Sequence, residues 1–259
     1  MEKYSIIKSL SNYIHLHSSF LFFALIAILI GSFFPFLIIT TLIIVHELGH
    51  YLTAKILKVP VEKIHIYPFG GHSKLNNNLN DPISKELLIL IMGPITQILF
   101  FVFLIRGNYL SNDHELIRVY HYYLLIFNLL PIYPLDGGKL INLLTSIIYP
   151  FKKSLFYTIY LSYLITILLF SYLIVQAFTL NILLLFILVI IKIVEEDKKK
   201  NYIIKRFLLE RYTKKFNFKK IKEVKHIDEF MRNKRHIILN NGHYYTEREV
   251  LRTKFEKKT

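Results

Sequence analysis

The chain has 259 residues, a formal charge of +15, 53% hydrophobic residues and no cysteine, with a mean hydropathy of +0.40. That balance excludes an ordinary soluble domain and reads as a polytopic membrane protein. The missing cysteines exclude disulfides and thiolate metal sites, leaving His, Asp and Glu to hold any metal.

Lys3 and Lys8 precede a first apolar run from Ile14 to Gly31. No small-residue cleavage site follows it, so the run reads as an anchor and not as a removed signal peptide. A second run, Phe33 to Leu57, contains His46-Glu47-Leu48-Gly49-His50. Histidines four apart share one helix face and can chelate one Zn²⁺, with Glu47 beside the metal. A charged group at the bilayer centre costs about 2.5–3.5 kcal/mol even on the lenient insertion scale, so three ionisable residues in one span call for a function.

Val59 to Ile66 shows β-branched alternation that the Pro and Gly residues of YPFGG then break. It reads as a membrane-edge strand or re-entrant segment over Val61 to Tyr67 that pairs with an extended substrate, or equally as a plain cytoplasmic loop. On the first reading Ile64, Ile66, Phe69, Gly70 and Gly71 lie on the substrate-binding side. Replacing Ile64 or Ile66 by proline is then expected to suppress cleavage without loss of zinc.

A third run covers Leu87 to Ile105, and a fourth, only marginally long enough for ~30 Å of hydrocarbon, covers Leu116 to Leu130. The fourth ends in NLLPIYPLDGGK, where Pro131 and Pro134 stop a regular helix while Gly137 and Gly138 permit close backbone approach. Ser154 to Ile191 carries no charge and is interrupted at Gln176 to Asn181, giving a fifth and a sixth span. The expected fold is therefore an all-α polytopic membrane protein of about six transmembrane helices, with a short membrane-edge β or re-entrant segment and a small cytoplasmic α/β tail. The expected domains are a transmembrane part at 1–194, a basic linker helix at 195–218 and a short cytoplasmic module at 219–259. In that module RHIILNNGHYYTEREVLRTKF reads as a strand, an Asn-Gly turn and a helix opened by a Thr246/Glu249 capping box.

Alternation through six spans puts Lys3, Lys8, Lys55, Lys58, Lys63, Lys74, Lys85, Lys139, Lys152, Lys153 and the tail on one side, with Arg106 and Arg118 on the other. The positive-inside bias makes the N-terminus and the tail cytoplasmic. The basic tail follows directly on an apolar run, which favours anionic lipid headgroups over nucleic acid.

A catalytic zinc takes three protein ligands and keeps one position for water, so a third ligand is needed. His46 lies about 20 Å from the outer end of its span, toward the cytoplasmic face. Asp113, His114 and Glu115 fall on the opposite side. Asp136 is expected at matching depth and is read as the third ligand; its alternative is a surface turn at Asp136-Gly137. His15 and His17 project from different faces of a helix. His65, His72, His121, His226, His236 and His243 have no partner at ligand spacing and read as interfacial or solvated.

HELGH on one span and Asn128-x-x-Pro131-x-x-x-Leu135-Asp136-Gly137 on a later one resemble the two signature motifs of the site-2 protease family of intramembrane metalloproteases. Tyr67-Pro68-Phe69-Gly70-Gly71, Gly93-Pro94, IHLH near the N-terminus and RFLLERY in the tail are similar to its sporulation branch. The resemblance implies one Zn²⁺ per subunit on His46, His50 and Asp136, with Glu47 as general base. It also implies Asn128 in substrate binding or transition-state support, although an interhelical hydrogen bond is the alternative role, and it places Pro131 on the substrate side. The substrate implied is the pro-form of a sporulation sigma factor, in the mother-cell membrane around the forespore. Inhibitory and scaffold membrane proteins are implied as partners. The tail resembles part of a cystathionine β-synthase type domain; it is too short to bind ATP alone, so nucleotide binding would require tails to pair in a homo-oligomer. The same chemistry on another membrane-tethered substrate stays open. A metal transporter would need carboxylates along several spans, and apart from Glu47 and Asp136 the spans hold almost none; a catalytically silent scaffold would process nothing.

Overall fold

Helices dominate because a backbone in lipid must satisfy its polar groups internally. A computed structural model describes residues 14–16, 18–67, 70–75, 78–109, 113–176, 179–218, 220–240 and 242–256. In chain order they form β1 (Ile14–Leu16), α1 (Ser18–Leu29), α2 (Phe33–Ile56), β2 (Val61–Tyr67), β3 (Gly70–Leu75), α3 (Ile83–Arg106), α4 (His114–Leu129), α5 (Asp136–Ile148), α6 (Phe151–Gln176) and α7 (Leu180–Thr213). The tail adds β4 (Ile221–Val224), β5 (Arg235–Asn240), β6 (His243–Thr246) and α8 (Glu247–Glu256). Among the described residues, α2, α3 and α6 are the three helices long and apolar enough to cross a membrane. The 12-residue α1 and 16-residue α4 are shorter.

The chain divides into two compact units, Met1–Asn77 with Leu88–Asn128, and Asn78–Leu87 with Leu129–Thr259. In the first, Ile38 and Leu42 of α2 and Ile117 of α4 form a buried cluster, with Phe100, Phe101 and Leu104 of α3 packed against it. Ala54, Val59 and Ile89 form a second cluster at the other end of α2. Helices α2 and α3 pack closely at Gly49, where a Cβ would stand 2.1 Å from the Thr96 hydroxyl and 2.4 Å from the Met92 carbonyl oxygen. Any other residue at that position would force α2 and α3 apart.

The expected strand over Val61 to Tyr67 forms, but its expected place at an edge is corrected. β2 is the central strand, parallel to β1 and antiparallel to β3. The partner β1 comes from far upstream, a pairing that local alternation cannot reveal. The register sets Ile64 opposite Ile14 and Ser73, and Ile66 opposite Leu16 and Gly71. The Cα positions of His15, His65 and His72 share one rung. Phe69 lies outside the described residues.

In the second unit, α5 is a helix that the apolar runs did not announce. Gly137 and Gly138 at its head serve the approach of the preceding segment: a Cβ on Gly137 would stand 2.2 Å from the Leu129 carbonyl oxygen, and one on Gly138 2.4 Å from the Ile132 carbonyl carbon. Helix α6 carries Ser154, Thr158, Ser162 and Thr166 at four-residue spacing, all fully buried. Three of them make polar contacts to other segments: the Ser154 hydroxyl donates to the Asn142 carbonyl of α5 at 2.9 Å, the Asn142 side chain donates to Thr158 at 3.3 Å, and the Tyr133 amide donates to Ser162 at 2.8 Å.

Helix α7 begins at an N-cap on Thr179, whose hydroxyl accepts from the Ile182 amide. It then runs unbroken for 34 residues through position 195. Its far end is gripped by the tail. Phe207 and Leu208 share a core with Phe151, Val224, Phe230, Ile238 and Leu251. Arg211, buried, donates to Glu247 at 2.7 Å, to Asn80 at 2.6 Å and to the carbonyls of Met231, Arg232 and Lys234. Glu210 accepts from the Leu79 amide at 2.7 Å, and Arg232 pairs with Glu86 at 2.7 Å, so the segment leading into α3 is fastened to this module.

In the tail sheet β5 lies between parallel β4 and antiparallel β6. Asn240 pairs with His243 across a turn in which Gly242 has φ +77, a left-handed value suited to glycine. Thr246 and Glu249 exchange the two capping-box hydrogen bonds. His236, expected to be solvated, is instead buried, stacked on Phe230 at 4.6 Å and bonded to Glu247 at 2.6 Å.

Candidate metal centre

Helix α2 presents His46 and His50 one turn apart, and their Nε2 atoms stand 3.2 Å from each other. Both residues are buried, as is Glu47 between them. The Nδ1 of His50 lies 2.8 Å from the Ile89 carbonyl oxygen. A carbonyl only accepts, so Nδ1 carries the proton and Nε2 of the neutral ring is an acceptor. The Nδ1 of His46 lies 3.0 Å from Oε1 of Gln97. The amide of Gln97 is oriented in turn by the His121 carbonyl, which accepts from its Nε2 at 3.1 Å. His46 is therefore the same tautomer, with its Nε2 also an acceptor.

Two acceptor nitrogens so placed repel unless a cation sits between them. Two imidazoles at 2.0–2.1 Å from one tetrahedral zinc hold their nitrogens about 3.3 Å apart. The donor set, the tautomers and the spacing of this pair all fit zinc, and the bonds at Nδ1 are the outer support that metal-binding imidazoles use.

Helix α3 supplies that support from one face. Ile89, Gly93 and Gln97 follow at four-residue intervals, and Gly93 makes room for the rings: a Cβ there would stand 2.3 Å from Nε2 of His50 and 2.9 Å from Nε2 of His46. Pro94 next to it removes one intrahelical hydrogen bond in this turn. Of these, only Gly93-Pro94 stood out in the sequence, and for its resemblance alone. Gln97, fully buried, did not stand out: its only mark in the sequence is an amide inside an apolar span, and its partners come from other elements. His121 is also corrected: it is buried and stacked on Phe101, with ring centroids 4.1 Å apart.

The other sequence-predicted residues fall as follows. Asn128 is half-buried near the end of α4, and Pro131 is half-buried just beyond it. Asp136 is the first residue of α5, buried, with Lys139 at 3.3 Å from its carboxylate. The positive end of the helix dipole favours the ionised carboxylate there. Ile64 and Ile66 are in the central strand β2, and Gly70 and Gly71 open β3.

Residues 34–119 match the family model described as Peptidase family M50. Stage IV sporulation protein FB of Bacillus subtilis is 32% identical over 204 residues, covering 77% of this chain and 71% of that protein. A zinc metalloprotease of Methanocaldococcus jannaschii is 32% identical over 155 residues, 54% of this chain and 45% of its own length. The solved site-2 protease from the same archaeon superposes with a TM-score of 0.55 over 71% of this chain and 89% of that one; at 24% identity this is a likeness of fold.

Proposed function

The chain belongs to peptidase family M50, and from that premise we propose that it cuts a membrane-tethered protein near the cytoplasmic face, removing the pro-sequence of a sporulation sigma factor. Membership makes it a zinc metalloprotease and an integral membrane protein; the bond cut, the substrate and the roles of single residues are the proposal. The observation that carries it is the His46–His50 pair, two buried acceptor nitrogens 3.2 Å apart. The third ligand is Asp136, a buried carboxylate at the head of α5 in the motif Asn128 to Gly137.

Zinc, when bound, polarises the scissile carbonyl and acidifies the attacking water. Glu47 takes the proton of that water and delivers it to the leaving amine. Asn128 donates a hydrogen bond to the carbonyl oxygen as it gains charge. The substrate enters locally unwound and pairs as a strand with an open sheet edge; with β2 central, that edge is the outer side of β3, at Gly70 and Gly71. Ile64, Ile66, Phe69 and Pro131 complete the substrate side.

The arrangement in the membrane is six spans, α1, α2, α3, α4, α6 and the apolar half of α7, with N-terminus and tail cytoplasmic, supported by the lysine and arginine asymmetry of the loops. The module at 219–259 is a short cystathionine β-synthase-like unit, and ATP binds it only if tails pair between subunits. The likeness to a stage IV sporulation protein of B. subtilis supports the sporulation setting. Inhibitory and scaffold membrane proteins are the partners that setting supplies.

Co-expression with a tagged pro-sigma factor tests the reading, comparing wild type with Glu47→Gln. The expected result is cleavage by the wild type and none by the variant, with zinc content equal in both. Cleavage by the variant removes Glu47 from its role. No cleavage by a zinc-loaded wild type rejects this substrate.

A further inference from the structure

We propose that Gln97 is a positioning residue for the metal, locking His46 in the tautomer and orientation that binds it and so setting how long the ion stays. The inference rests on the zinc reading above and extends it to a residue outside the HExxH pattern.

Gln97 is fully buried in the middle of α3. An amide at that depth must satisfy its polar atoms within the protein, and a span with no other use for it would carry an apolar residue. Its two ends are used differently. Nε2 donates to the His121 carbonyl at 3.1 Å and lies 3.4 Å from His121 Nδ1. Oε1 is thereby turned toward His46 Nδ1 at 3.0 Å. The His121 backbone fixes the amide, and the amide fixes the imidazole.

His121 is itself held: its ring stacks on that of Phe101 with 6° between the ring planes. The chain of contacts runs from Phe101 and His121 through Gln97 to His46. The hydrogen bond adds electron density to the ring and raises the basicity of Nε2, and outer partners of this kind are worth about 10–100-fold in metal affinity. His50 needs no such side chain, because the Ile89 carbonyl serves the same purpose. The two ligands are thus oriented by one helix, α3, through a backbone oxygen and a side-chain oxygen eight residues apart.

The test compares Gln97→Leu, Gln97→Met and Gln97→Glu in the full-length protein in detergent. All three lose the amide N–H that reaches His121, but only Glu keeps an oxygen for His46 Nδ1. The readouts are the rate of zinc loss to a chelator and the visible absorption of the cobalt-substituted protein. Leu and Met are expected to speed metal loss by about 10–100-fold and shift the cobalt bands, while Glu stays within a few-fold of wild type. Equal metal loss by all three variants would mean that Gln97 only fills space, and loss at the wild-type rate by Leu or Met would mean that it does nothing for the metal; either result overturns the proposal. If the Leu variant does not accumulate, Met against Glu makes the same comparison. A wild-type protein that takes up no zinc, matching His46→Ala, fails the metal reading itself and is recognised before any Gln97 variant is compared.

Discussion

Gly93 lies against the ring of His50 so closely that a methyl group in place of its hydrogen would stand 2.3 Å from both Cε1 and Nε2. The ring cannot swing aside freely, because its Nδ1 is held 2.8 Å from the Ile89 carbonyl oxygen. Gly93→Ala is therefore expected to displace the His50 ring while leaving the helix intact, since alanine is the better helix former. Zinc affinity should fall on the order of 10–100-fold, comparable to other disturbances of ligand orientation, and activity with it. Metal analysis of the purified variant checks this; full occupancy under chelator challenge would mean that the rings relocate without cost.

Asp136→Asn keeps the shape of the side chain at the head of α5 and removes its charge. If the carboxylate is a ligand, zinc affinity should drop by more than the roughly 10–100-fold that outer partners contribute. An unchanged zinc content with unchanged cleavage would end the assignment of Asp136 as a ligand.

Arg211 is the centre of the tail. Burial lowers its pKa to about 10, opposed by Glu247, so it stays charged at neutral pH. Its guanidinium lies 4.6 Å from the ring of Phe218 and 4.9 Å from that of Phe207. Arg211→Met fills the space but takes from Glu247 its charged partner, leaving it His236 alone, and takes from several carbonyls the guanidinium donor, a loss expected to cost about 3–5 kcal/mol. Hydrogen exchange at the β5 amides should read it as faster opening; protection equal to wild type would show the network to be dispensable.

The tail should also weaken in mild acid. Burial, chiefly, depresses the pKa of His236 below its ordinary value, outweighing the opposite pull of Glu247. Its Nε2 accepts from the Met231 amide at 3.0 Å, so a second ring proton would break that bond. The unfolded chain takes up the proton near pH 6.5 and the folded one only at lower pH. Stability is therefore full above that pH, falls as pH drops from it toward the depressed value, and then levels off. The capping-box carboxylate of Glu249, lowered by its bond to the Thr246 amide, contributes fully above the ordinary carboxylate range, and that contribution is lost as the pH falls from there through its depressed value. Tail unfolding followed from pH 8 to 5 in wild type and His236→Asn should show the first decline in the wild type alone.

What could be read from the chain followed range. Helices α2, α3 and α6 were legible because an apolar stretch long enough for a bilayer leaves little alternative. The His46–His50 pair was legible because four residues is one helical turn. The strand over Val61 to Tyr67 showed in its alternation, yet its central position did not, since β1 joins it from far upstream. Gln97, His121 and His236 acquire their surroundings from other elements, and a single polar residue carries no periodicity to announce it. Helix α5 was hidden by its own opening, Asp136-Gly137-Gly138, which taken locally resembles a turn and is instead a place where backbone meets backbone.

Helix α7 contains no proline or glycine at which to bend. At 1.5 Å per residue its 34 residues make a rod of about 51 Å, against ~30 Å for the oily layer of a bilayer. The tail is bolted to the far end of this rod through Phe207, Leu208 and Arg211. In the six-span arrangement proposed above, a change in lipid thickness, or a neighbour leaning on the apolar half, would swing that end like a tiller, delivering bilayer mechanics to the globular end of the chain without a hinge to absorb them.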